Sequence, residues 1–128
     1  MKHILTCSFG KDSIATALLA LQHGEPLDEL VYSEVMFSDT VSGELPEHKR
    51  FIYETAIPYF EKRGIPTKIL RGQKTYLDCF YHIVSRGNAE GKLASFPLTG
   101  RCSIQRDCKL PPIRTYQKTL PQDTVYYL

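Results

Sequence analysis

Tryptophan is absent from these 128 residues, methionine occurs twice, and neither sign of charge dominates, with 16 Lys and Arg against 14 Asp and Glu. No apolar stretch reaches the roughly 18 residues that a bilayer-spanning helix needs. The N-terminus lacks the basic-then-apolar layout of a secretory leader, so no membrane partner is implied. A formal net charge of +2 leaves little of the strongly basic footprint expected of a duplex-binding protein, which argues against nucleic acid as the partner. The Walker A pattern, GxxxxGK followed by Ser or Thr, is missing too. What remains is one domain at the small end for an α/β fold, long enough for a real core, with its aromatic content in Tyr and Phe.

The stretch that carries most information lies near the N-terminus. A short apolar run, Ile4-Leu5-Thr6-Cys7, meets the turn Ser8-Phe9-Gly10-Lys11-Asp12-Ser13, and a helical pattern follows. A buried strand that breaks at glycine and opens into a helix leaves unpaired N–H groups at the helix start. Those donors, the positive end of the helix dipole and Lys11 together favour a phosphate. Asp12 beside phosphates needs a purpose: capping the helix, pairing with Lys11 or meeting a metal ion. The plainer alternative is an ordinary strand–turn–helix with Ser8 or Asp12 as N-cap, because Ser, Gly and Asp are good turn residues.

Further on, Ile14, Ala17, Leu18 and Leu21 recur at helical spacing and predict one face packed on a sheet. Gly24 and Pro26 end that helix near His23, which reads as a solvated helix-end residue. Residues 30–37 form a nearly unbroken apolar and aromatic run, the pattern of a parallel strand covered on both faces. Glu34 inside it must pair or reach an edge. A loop leads to Pro46, well suited to a first helical position, with Glu47 in the first turn. The second helix runs to about Arg63 with Ile52, Ala56, Tyr59 and Phe60 on its buried stripe, and Pro58 should kink it. Residues 67–70 make a third strand, 76–84 a third helix, and 124–128 a fourth strand. The order of strands and helices predicts a parallel sheet with helices on both faces and right-handed crossovers.

Charge is unevenly spread. Residues 1–85 carry nine Lys and Arg against eleven Asp and Glu, and residues 86–128 carry seven against three. The basic last third suits an anionic ligand. Residues 89–116 lack clear periodicity and read as a long loop, which in a compact domain is functional or disordered. Four cysteines are present. Cys102 and Cys108, with Cys79 and His82 upstream, could in principle hold zinc, and a four-cysteine iron–sulfur site would need the poorly placed Cys7. Five residues between cysteines is a weak metal signal, so the weight falls on free thiols or a labile Cys102–Cys108 pair.

Three segments share a resemblance. Ser8-Phe9-Gly10-Lys11-Asp12-Ser13 resembles the SGGKDS pyrophosphate loop of the N-type ATP pyrophosphatases and 3′-phosphoadenosine-5′-phosphosulfate (PAPS) reductases, with Phe9 where glycine is usual. Asp39, Thr40, Pro46 and Glu47 match the DTGxxxPE stretch of PAPS reductases, with Val41 where glycine is usual. Arg101-Cys102, Cys108-Lys109 and Pro112 resemble the R-C-x5-C-K…P segment of PAPS-reductase-like domains. The resemblance implies a Rossmann-like three-layer α/β sandwich of the adenine nucleotide alpha-hydrolase kind, strand order 3-2-1-4, with the ligand at the carboxyl edge above the first strand.

It further implies that Cys7, Ser8, Phe9, Gly10, Lys11, Asp12 and Ser13 wrap the phosphates of ATP or PAPS. Lys11 would neutralise charge there, and Asp12 would help position Mg²⁺ if the ligand is ATP. Asp39 and Thr40 would lie near the adenosine or ribose. Arg101 and Lys109 would close over the distal anion, with Arg106 and Arg114 behind them. The family's domain continues beyond the fourth strand, and the ECGxH-type motif of true reductases does not occur here, so the resemblance implies a minimal or shortened version. Three functions stay open: adenine-nucleotide chemistry by ATP pyrophosphate release or PAPS handling, thiol-dependent sulfonucleotide reduction, and a non-catalytic nucleotide-binding or homodimerising module whose last strand offers an edge. A phosphate loop with free thiols fits a reducing, cytoplasmic setting.

Overall fold

The computed structural model describes residues 1–95 and 102–127. The chain is α/β. Four strands, β1 (His3–Thr6), β2 (Glu29–Glu34), β3 (Thr67–Arg71) and β4 (Val125–Tyr127), form one all-parallel sheet in the order β3-β2-β1-β4. β1 is central, pairing Leu5 with Leu30 on one side and with Tyr127 on the other. The expected Rossmann-like order is therefore present, with its reversal point between β1 and β4.

Between the strands run α1 (Lys11–Gln22), α2 (Pro46–Phe51), α3 (Ile57–Glu61), α4 (Tyr76–Phe80) and α5 (Leu110–Gln117). Strand side chains alternate between faces. Leu5, Cys7, Leu30 and Tyr32 point to one face, where they meet Ala17, Ile52, Ala56, Ile57, Phe60 and Ile65 in the main core. On the other face the Ser33 hydroxyl donates to the Lys109 carbonyl at 2.9 Å, and Ile113 is buried. Among the described residues no helix is long and apolar enough to cross a membrane.

Several sequence expectations shift. Leu18 is 38% exposed, so the buried stripe of α1 is narrower than its apolar spacing suggests and centres on Ala17. The second helix is interrupted by a π-helical turn, Ile52–Ala56, one residue before Ile57-Pro58. Pro58 has no N–H for the Glu54 carbonyl, and its ring crowds that carbonyl. Widening the preceding turn relieves both. The wider turn rotates the residues that follow, so Ile57 is buried and Tyr59 is 39% exposed.

A second π-turn, Gln105–Lys109, precedes α5, again just before prolines, Pro111 and Pro112. Residues 103–117 are therefore helical where a loop was expected: the π-turn widens the backbone ahead of the proline rings and of the carbonyls that their missing N–H groups leave unbonded. The third helix stops at Phe80, short of the expected residue 84, and β2 ends at Glu34, short of Phe37.

Candidate functional site

In an all-parallel sheet every strand delivers its following loop to the same carboxyl edge. The β1–α1 turn lies there, next to the reversal point. Within it Phe9 takes a positive φ of 60°, a region that L-residues avoid. That places the Phe9 ring in the core, 1% exposed, edge-on to Tyr32 at 5.4 Å between centroids. Cys7 is buried beside it, and burial pushes its thiol up while the Phe9 amide and the Ser13 hydroxyl, bonded to the sulfur, oppose the shift. The Cys7 amide donates to the Val31 carbonyl at 2.8 Å and the Phe9 amide to the Cys7 sulfur, so the donors open to a ligand begin elsewhere in the turn. Ser8, Lys11 and Asp12 stand exposed.

The donors of this turn divide into two groups. The Ser8 amide donates to Ser13 Oγ at 3.3 Å and the Gly10 amide to Ser8 Oγ at 3.4 Å, both long and readily exchanged. The Ser8 and Ser13 hydroxyls are 3.1 Å apart. α1 begins on Gly10 without any side-chain cap. Its first-turn amides, Lys11, Asp12 and Ser13, find no acceptor among the described residues, while the Ile14 amide returns to the Gly10 carbonyl at 3.0 Å. A helix of 12 residues that starts uncapped presents its donors and its dipole outward.

Asp39 and Thr40 lie on the loop after β2 and are exposed. Ser38 Oγ accepts from the Thr40 and Val41 amides at 3.4 and 3.1 Å. The loop is tied back to β2: Ser42 donates to Glu34 at 3.0 Å, and the Tyr32 hydroxyl donates to Glu44 at 3.0 Å. Because Tyr32 also touches Phe9, it joins the two loops. No hydrogen bond or ion pair links Asp39 or Thr40 to residues 7–13 among the described residues.

The basic segment is less available than its composition suggests. Arg106 is held by the neighbouring Asp107 through two 2.9 Å hydrogen bonds. The Arg106 hydrogen bond in turn holds the Asp107 carboxyl below its ordinary range. Lys109 is half-buried and its carbonyl is bonded to Ser33, while Arg114 is exposed on α5. Arg101 lies outside the described residues. A groove of about 530 Å³ lined by Arg71, Lys74, Asp107, Pro112 and Tyr116 runs beside β3, two strands away from the β1–α1 turn.

The sulfurs correct one expectation. Five helical residues lie between Cys102 and Cys108, which stand six positions and roughly 7–9 Å apart along the axis, beyond what a disulfide spans. Cys102 is exposed and Cys108 is buried. The close pair is instead Cys79 and Cys108, with 3.4 Å between sulfurs. Among the described residues no group of three His, Cys, Asp or Glu side chains is placed to hold a metal ion.

Sequence reasoning assigned nothing to the cluster around Glu34. That carboxylate is fully buried at the end of β2, with Arg71 donating at 2.8 and 2.7 Å, Tyr53 donating at 3.4 Å, and the Lys49 ammonium forming an ion pair at 3.9 Å. A charge inside an apolar run was the signal, and register supplies the partner: Glu34 pairs with Arg71 across the strands. Comparison with protein families, with curated proteins and with solved structures finds no match for the chain.

Proposed function

We propose that this chain binds an adenine nucleotide, ATP or PAPS, through the pyrophosphate-like loop of residues 8–13, in the manner of the loop that the sequence resembles. One observation carries the reading: α1 starts uncapped at the carboxyl edge, beside the reversal of strand order, with three first-turn amides that find no acceptor among the described residues and with Lys11 exposed. The long bonds within the turn would give way to phosphate oxygens, freeing the Ser8 and Gly10 amides as well. Lys11 would neutralise the phosphates and Asp12 would orient Mg²⁺ accompanying ATP. Asp39 and Thr40, on the neighbouring loop, would face the nucleoside, and Arg101 and Lys109 the distal anion.

With ATP the chemistry would be release of pyrophosphate and adenylation of an acceptor. Reduction of a sulfonucleotide would need a thiolate at neutral pH. Burial and contact with Cys79 push the Cys108 thiol up to about 12, which disfavours it against Cys102 as that nucleophile. The four free thiols suit a reducing, cytoplasmic compartment. A homodimer would use β4, which pairs on one side with β1 and spans three residues.

A thermal-shift panel of ATP, AMP, PAPS and sulfate, with and without Mg²⁺, identifies the ligand class, since a bound ligand stabilises the folded state by mass action. Lys11→Ala should weaken the best ligand at least tenfold by calorimetry, about 1.4 kcal/mol. Unchanged affinity would remove the phosphate-loop assignment.

A further inference from the structure

Cys79 and Cys108 come from distant parts of the chain, and the fold presses them together. α4 begins with a capping box in which Thr75 and Asp78 exchange hydrogen bonds of 2.8 and 3.3 Å. Its first amides are docked on the loop after β2: Tyr76 donates to the Met36 carbonyl at 2.8 Å and Leu77 to that of Phe37 at 3.1 Å. Cys79 sits on its buried side. Cys108 is fixed independently. Its residue neighbour Lys109 is bonded to Ser33, and its own carbonyl lies so close to Gly72 that a Cβ there would come within 2.6 Å of it. The two sulfurs, 5% and 1% exposed as residues, therefore face each other from two anchored segments.

We propose that Cys79 and Cys108 form an oxidisable pair, a modification site at which a small-molecule disulfide converts two thiols into a reversible cross-link between α4 and the helix of residues 103–117. The sulfurs need to approach by only about 1.4 Å to reach bonding distance, a displacement that side-chain rotation supplies.

The sequence of steps follows from the two environments. Cys108, deeper and with its thiol pushed up by burial and by Cys79, is the poorer first nucleophile. Cys79 as thiolate attacks one sulfur of the small disulfide, forming a mixed disulfide and expelling one small thiolate, which takes up the proton. Cys108 then gives up its proton and attacks the Cys79 sulfur, expelling the second small thiol. Two protein thiols and one disulfide become one protein disulfide and two small thiols, so electrons and protons balance. The closed link ties the two ends of the segment that carries Arg101 and Arg106. Cys102, which is exposed, takes no part.

The experiment uses the whole chain and oxidised glutathione. After incubation, excess reagent is removed and free thiols are counted under denaturing conditions; trypsin fragments are then mapped without reduction. Cleavage after Lys and Arg puts Cys79 in residues 75–86, Cys108 in 107–109, Cys102 in 102–106 and Cys7 in 3–11. The expected result is a fall from four thiols to two, with 75–86 joined to 107–109, restored to four by dithiothreitol. The oxidised protein should also melt about 5 °C or more higher, because the link closes a long loop in the unfolded chain. Cys102→Ser should leave the link intact. Four thiols remaining, a glutathione adduct as end product, a link to 102–106, or a lower melting temperature would each overturn the proposal. Mapping wild-type protein keeps the test independent of whether cysteine variants fold.

Discussion

Phe9 offers a sharp test of how the β1–α1 turn is built, because two opposing energies meet at one residue. Its backbone is held at φ 60° and its ring is 1% exposed. Phe9→Ala removes the ring and keeps the unfavourable backbone, and should cost about 3–5 kcal/mol, the range for truncating a buried aromatic. Phe9→Gly removes the same ring but relaxes the backbone. A left-handed conformation costs a non-glycine residue about 1–2 kcal/mol, against which glycine loses about 0.5–1 kcal/mol more chain entropy on folding. Glycine, ordinarily the more disruptive replacement, should therefore be less destabilising than alanine here, by about 0.5–1 kcal/mol. Urea unfolding of the three proteins, followed by circular dichroism with a common m-value, resolves that difference. An alanine variant equal to or more stable than the glycine variant would refute the idea that the turn stores backbone strain against ring burial.

The Glu34–Arg71 pair should respond asymmetrically. Glu34 is fully buried while the Arg71 side chain is 53% exposed, so Arg71→Met strands a buried charge and should cost about 3–5 kcal/mol. Glu34→Gln leaves a guanidinium that water can reach and should cost less, about 1–2 kcal/mol; denaturant midpoints showing the reverse order would contradict this. Stability should also fall on the alkaline side. Folding raises the thiol of Cys108 from 9.0 to about 12, and burial raises Cys7 and Tyr32 in the same direction. The unfolded chain therefore ionises first, and stability present below pH 9 is lost as pH rises toward 12. Thermal melts across that window check it, and a flat profile would mean these groups are not buried. In native protein at pH 8, iodoacetamide should label fragment 102–106 well before 107–109.

The α/β class and the strand–turn–helix at β1–α1 were legible in the sequence because they rest on local signals, apolar runs, Gly10 and helical spacing, while the strand order came only with the resemblance. What escaped notice depended on contacts between distant residues or on backbone geometry. Tyr59 has the right spacing for burial in a regular helix, and the π-turn before Pro58 rotates it out. Residues 103–117 lack clear periodicity and read as loop, yet the π-turn before Pro111 lets a helix run through the two prolines. Cys79 and Cys108 are 29 positions apart, so no spacing rule joins them. Glu34 announced itself as a charge in an apolar strand, while its partner could be found only once β2 and β3 were in register. Phe9 looked like a departure from a glycine-rich pattern; its φ explains why glycine would be at home there, and the Tyr32 contact explains what holds phenylalanine in its place.

β1 occupies the middle of the sheet, yet one of its neighbours, β4, joins it by pairing His3 with Val125. β1 therefore waits for more than a hundred further residues to be made before its second edge is covered. Closure across so long a stretch of chain is entropically slow. A nascent chain held on the ribosome would carry three strands of the sheet with one edge of β1 open, a state prone to pairing with other chains. Moving β4 ahead of β1 by circular permutation would make that neighbour local, and it should speed folding while leaving the carboxyl-edge turn unchanged.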